Sequence, residues 1–187
     1  RRHTRLVSDW SSDVCSSDLS LADDPEKLLN PYFFLMAASP YTASKSLKTH
    51  VSILPVMNSF KKLSKLHSML FVEGIGGIMT PILKNYFIAN LIKDMNLPAI
   101  IVTRTKIGTV NHTIMTCKIC EKYKIPIKGI IINNFDSSGY NVKELTRDLK
   151  SIIKVPILGT IPFVEKLSEE SLYRNFEKNI DVKSLFK

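Results

Sequence analysis

The residues best equipped for chemistry lie in the stretch Phe71-Val72-Glu73-Gly74-Ile75-Gly76-Gly77-Ile78-Met79-Thr80-Pro81-Ile82. An apolar run from Met69 to Val72 ends on one carboxylate, Glu73, and the three glycines after it let the backbone turn and approach a ligand closely. Such a run predicts a short buried strand. At the C-terminal end of a strand in a parallel sheet, Glu73 would face the crevice where ligands bind. A carboxylate there suits Mg²⁺, a hard cation that takes oxygen ligands from one or two carboxylates and from substrate phosphates. The alternative is a strand that ends in water at Glu73, with the glycines making a tight turn. A dinucleotide fingerprint fails, because Met79 stands where the third glycine of G-x-G-x-x-G belongs, and Asp94 falls late in a predicted helix.

Three further stretches carry polar groups. Gly108-Thr109-Val110-Asn111 precedes a helical period, so unpaired amides and a positive dipole end there could hold a carboxylate or a phosphate. Equally, Thr109 or Asn111 could serve only as an N-cap. Asn133 offers an acceptor and two donors, the complement of an adenine edge, and Pro162 and Phe163 could flank a flat ring. By itself an Asn at a strand end is a common turn former. Cys117 and Cys120 form a lone C-x-x-C whose spacing inside an apolar helix reads as two small core residues, since zinc would need two more ligands.

The elements that must position these groups alternate. Apolar residues from Val51 to Leu66 recur at three and four, a predicted helix with Pro55 tolerable only near its first turn. Ser39-Pro40-Tyr41 reads as a bend and Ala43 to Lys48 as a polar connection. Asn85 is placed as the cap of a helix through Met95. Strands are predicted over Pro98–Val102, Ile127–Ile132 and Val155–Leu158, with helices over His112–Tyr123, Asn141–Ile153 and Ser168–Asn179. Strand and helix in alternation predict an α/β fold with a parallel sheet and helices on both faces. The loops after the strands, 73–74, 103–111, 133–134 and 159–163, would then gather along one edge.

Composition restricts the function classes. The chain has 187 residues, 44% of them hydrophobic, enough for one α/β domain, expected over residues 21–187. No apolar run approaches the ~20 residues that span a bilayer, and a cytoplasmic protein is expected. The net charge of +9 is spread over lysines on polar helix faces without interleaved aromatics, a pattern of a solvated surface. Neither nucleic acid nor membrane is expected as a partner. Arg1 to Leu19 is unlike the rest, with the sole Trp, repeated Ser-Ser-Asp triplets and no helical or strand period. We expect residues 1–20 to be a non-native leader.

Taken together, Val72-Glu73-Gly74-Ile75-Gly76-Gly77 with Pro81, Lys106-Ile107-Gly108-Thr109-Val110-Asn111-His112, Asn133-Asn134 and Leu158-Gly159-Thr160-Ile161-Pro162 resemble dethiobiotin synthase in order and spacing. Asn30-Pro31-Tyr32 extends the likeness toward the amino end. The resemblance implies a P-loop NTPase-like fold and an ATP-dependent ligase of biotin synthesis, in which diaminopelargonate and CO₂ give a carbamate, ATP phosphorylates it, and the second amine closes the ring. It implies Glu73 as a Mg²⁺ ligand at the ATP site and Gly76 and Gly77 as points of backbone approach to the substrate. It further implies Gly108, Thr109, Val110 and Asn111 as holders of the substrate carboxylate across a homodimer, and Asn133, Pro162 and Phe163 as the adenine site. The family's G-x-x-x-x-G-K-S/T loop, its active-site lysine and serine and its second metal-binding Asp have no counterpart in this sequence, so no catalytic residue is assigned. We expect a chain with its first strand and P-loop missing, probed against the alternative of a non-catalytic or regulatory relative.

Overall fold

The computed structural model describes residues 24–134, 139–164 and 168–185. The leader, with Trp10 and Cys15, lies outside them. The chain divides into two compact units, with the division in sequence between Leu91 and Ile92.

The first unit begins with three helices, α1 (Glu26–Leu29), α2 (Pro40–Ser46) and α3 (Ile53–Leu66). Ser39 caps α2 by accepting the Thr42 N–H at 3.2 Å, and Pro40 takes the first helical position. The bend expected at Ser39-Pro40-Tyr41 is therefore a helix start, and most of the expected polar connection is helix. A proline costs nothing there, since its missing N–H would have had no intrahelical acceptor. In α3 the side chain of Ser52 accepts from the Leu54 N–H, Pro55 falls in the first turn as required, and Leu63 is buried. Just past its end the His67 ring meets the Asp24 carboxylate at 2.7 Å.

A small antiparallel pair follows, β1 (Pro81–Leu83) and β2 (Tyr86–Phe87). Asn85 lies in the turn between them and caps nothing. The next helix, α4 (Ile88–Asp94), starts two residues later than a cap at Asn85 would place it, and Asn90 Oδ1 accepts the Phe87 N–H at 2.9 Å. The strand predicted over 69–72 is not formed. Those residues belong to neither sheet, and Phe71 is 65% exposed. Apolarity suits a segment to a buried strand, but only a neighbouring backbone makes it one.

The second unit holds β3 (Ala99–Arg104), α5 (Thr109–Tyr123), β4 (Ile127–Asn133), α6 (Val142–Ile152), β5 (Ile157–Ile161), α7 (Glu169–Asn179) and α8 (Val182–Leu185). Its three strands are parallel in the order β3-β4-β5, with Thr103 opposite Ile132, Arg104 opposite Asn133, and Asn133 opposite Ile161. The two-residue period of β4 serves both faces. Ile130 packs with Ile101 and Cys117, and Ile132 with Leu145 and Leu149 of α6, whereas Ile131 turns the other way to Leu158 and Ile180. Full burial of each such side chain contributes about 1.5–3 kcal/mol, so this layered core decides where the strand ends sit.

Local signals set the helix boundaries. Asn141 caps α6 by accepting the Lys143 and Glu144 N–H groups, and Leu145 and Leu149, one turn apart, form its buried stripe. Ser168 and Ser171 exchange hydrogen bonds in a capping box at the start of α7. One strand is displaced from expectation, since β5 begins at Ile157 and runs through Gly159 to Ile161, residues read from the sequence as a loop. Gly159 bridges antiparallel to Ile180, and the Asp181 N–H reaches the Leu158 carbonyl at 2.8 Å. The chain leaving α7 thereby covers the outer edge of β5. No helix among the described residues is long and apolar enough to cross a membrane.

Candidate functional site

In a parallel sheet all strands end on the same edge, and in the second unit that edge gathers the segments after β3, β4 and β5. Asn133 is the last residue of β4, beside Arg104 of β3 and Ile161 of β5. The next residue is tied down as well, because the Asn134 N–H donates to the Ile161 carbonyl at 2.9 Å. Pro162 and Phe163 follow at once and are exposed. Asn133, Pro162 and Phe163 are thus brought together at two adjacent strand ends.

The segment after β3 turns into α5 through Gly108, whose φ of 88° is left-handed and suits glycine. Gly108, and not Thr109 or Asn111, occupies the N-cap position, and no side chain caps this helix. The Thr109 amide is engaged with the Lys106 carbonyl at 3.1 Å, which leaves those of Val110 and Asn111 as the ones without an intrahelical acceptor. Asn111 and Lys106 are exposed, whereas Val110 is half-buried against the Ile132–Leu145–Leu149 cluster.

Thr109 turns inward because it completes a hydroxyl network that sequence reasoning missed. Its Oγ1 lies 2.5 Å from Thr103 Oγ1, which lies 2.8 Å from Thr113 Oγ1. All three are buried, and together they pin the start of α5 to β3. Thr105, also buried, donates its hydroxyl to Asn134 Oδ1 at 3.0 Å. A signal was present along β3 and the residue after it, where buried Ile101, Thr103 and Thr105 alternate with exposed Val102 and Arg104, so the inner side turns polar toward the site end.

Glu73, Gly76 and Gly77 belong to the first unit. Glu73 is exposed in irregular chain and does not end a strand. The loop behind it is held by its own backbone: the Thr80 N–H bonds to the Gly77 carbonyl, the Ile88 N–H to the Thr80 carbonyl and the Ala89 N–H to the Ile78 carbonyl. Gly76 is left-handed, with φ 73°, and a Cβ there would crowd Thr80 Oγ1 at 2.9 Å. Among the described residues no three His, Cys, Asp or Glu side chains cluster to hold a metal ion. Glu73 fits Mg²⁺ as a single hard ligand whose remaining partners would be water and phosphate oxygens.

Cys117 and Cys120 are buried free thiols on the inner side of α5. Burial pushes both thiols up, Cys120 to about 11, with the neighbouring Cys117 adding to its shift. They are core residues, as their spacing suggested.

Comparison with known proteins adds an independent line. A family model described as an AAA domain matches residues 4–171. The chain is 63% identical to the ATP-dependent dethiobiotin synthetase of Nitrosopumilus maritimus over 164 residues, 88% of this chain and 72% of that protein. The chain belongs to the dethiobiotin synthetase family. It is also 35% identical to the enzyme of that name from Thermodesulfovibrio yellowstonii, over 90% of this chain and 74% of that protein, and 38% identical to the one from Bacillus velezensis, over 90% and 75%.

Proposed function

We propose that this chain carries the adenine-reading and carboxylate-holding parts of a site for ATP-dependent closure of the ureido ring of dethiobiotin. The substrates are diaminopelargonate, CO₂ and ATP, and the compartment is the cytoplasm. The observation that carries the reading is the meeting of Asn133, Ile161 and Pro162 at adjacent strand ends, in a chain 63% identical to a protein of that name. The amide of Asn133 can donate and accept at once, as an adenine edge requires. Pro162 and exposed Phe163 offer apolar surface beside it. Within Gly108 to Asn111 the amides of Val110 and Asn111 are left for a substrate carboxylate; in the first unit, Gly76 and Gly77 give a backbone without side chains that a substrate can approach.

Glu73 would offer Mg²⁺ one carboxylate ligand, and Mg²⁺ supplies charge that neutralises phosphates during transfer. The protein's own contribution is placement. An amine held beside its electrophile gains a large effective concentration, worth about 7–11 kcal/mol in well-oriented cases. A hybrid tests the reading: the part of the Nitrosopumilus relative outside the match, joined to this chain, is expected to support growth of a diaminopelargonate-fed dethiobiotin synthetase mutant without biotin. Failure of a folded, expressed hybrid to do so would count against the proposed reaction.

A homodimer is part of the same proposal. Ile107, beside the proposed carboxylate site, is 97% exposed, and Met115 near the middle of α5 is exposed too, apolar groups that a second copy would cover. Changing Ile107→Glu is expected to convert the protein to a monomer in sedimentation while leaving its melting temperature within a few degrees. An unchanged association state would remove the dimer from the proposal.

A further inference from the structure

We infer that Thr105 is a positioning residue that holds the end of β4 in place for base recognition by Asn133, an inference that rests on the adenine reading above. Thr105 directly follows β3 and is fully buried. A buried hydroxyl must find a partner, and this one donates to Asn134 Oδ1 at 3.0 Å, the residue next to Asn133. Its carbonyl accepts the Tyr140 N–H. Gly139 lies so close that a Cβ there would stand 2.6 Å from both the Thr105 carbonyl oxygen and Oγ1. Thr105 therefore meets the chain where it departs from β4 and again where it returns.

Asn134 is held from the other side by its own N–H on the Ile161 carbonyl. Side chain and backbone of one residue are thus fixed by the two neighbouring strands, and the side chain of Asn133 projects from the position before it. Hydrogen bonds weaken steeply away from linearity. An amide that must donate to and accept from one base edge therefore discriminates only if its backbone is fixed. Valine has nearly the shape of threonine and cannot donate, so Thr105→Val leaves the packing and removes the tie.

The test uses the whole chain, adenosine and guanosine, and ¹H–¹⁵N spectra that follow the Asn133 side-chain amide. In the unaltered protein adenosine is expected to shift that amide pair at lower concentration than guanosine. Thr105→Val is expected to reduce the preference about five- to tenfold, the scale of one hydrogen bond, and Thr105→Ser to restore it. A merely structural role would lower the melting temperature without touching the ratio. If Thr105→Val does not fold, Asn134→Ala removes the same bond from its accepting side and must lose the preference likewise. A Thr105→Val protein that keeps the preference, or an Asn134→Ala protein that does, overturns the inference while leaving the adenine reading intact. If the unaltered chain shows no preference for adenosine, both fall.

Discussion

Replacing Gly159 with alanine is expected to destabilise the second unit by about 3–5 kcal/mol, the sum of an overpacking cost and of lost burial at one large side chain. A Cβ at this position would fall on the Asn179 carbonyl oxygen, and the Ile180 side chain lies at 2.9 Å from it. A flexible side chain could move aside; a backbone carbonyl at the end of α7 cannot move alone. The segment from Asn179 to Asp181 would have to leave β5, breaking the bond from the Asp181 N–H to the Leu158 carbonyl and exposing Ile180, now packed on Ile131 and Leu158. A loss of this size would lower the melting temperature by roughly 6–20 °C for a domain of this length. Urea unfolding of the two proteins side by side measures it, and a difference under about 1 kcal/mol would show that the edge of β5 does not need the close approach.

The second large effect concerns turnover. Supplied with ATP, Mg²⁺, diaminopelargonate and labelled bicarbonate, the 187-residue polypeptide is expected to form no dethiobiotin above background. No G-x-x-x-x-G-K-S/T stretch occurs in its sequence, and the amides and lysine of such a loop place and neutralise the transferred phosphate. Removal of a single preorganised donor to developing charge costs about 10²–10³ in rate. A whole cradle of them cannot be missing without taking the rate below detection. Among the described residues, the polar edge of the second unit offers nothing equivalent to that loop. Label appearing in dethiobiotin at an enzymatic rate would mean that another cation on this chain does the work, and exposed Lys106 would be the first to substitute.

The elements that sequence patterning located well are those whose reasons are local. Asn141 before Leu145 and Leu149, and Ser168 before the helical run to Asn179, announce α6 and α7 by cap and stripe alone. Ser39-Pro40 holds the same kind of signal at the start of α2, though it passed as a bend. What patterning misplaced depends on pairing. Met69 to Val72 has the composition of a strand and no ladder, and Gly159-Thr160-Ile161 has the composition of a turn yet pairs with β4 on one side and meets Ile180 on the other.

The candidate site divides in the same way. The meeting of Asn133, Pro162 and Phe163 was legible because Asn133 ends β4 and the other two are the first residues after β5, and a parallel sheet must bring such positions to one edge. The inward turn of Thr109 was not legible, since its partners Thr103 and Thr113 lie six residues before it and four after it, across a strand-to-helix turn. The step of four from Thr109 to Thr113 is a helical spacing, but the step of six back to Thr103 crosses the turn and follows the period of neither element. Only once α5 is laid on β3 do three ordinary threonines become one connected group.

The pair of thiols inside α5 gives this molecule a gauge of its own motion. Cys120 has no access to solvent in the folded state and a thiol held near 11, so an alkylating reagent can capture it only during the moments when the helix lifts from the strand beneath. The labelling rate at mild alkalinity therefore counts those openings directly. Because Gly108 is the N-cap of the same helix, that rate reports how often the turn proposed to hold a carboxylate comes apart, with no dye or isotope added to the chain.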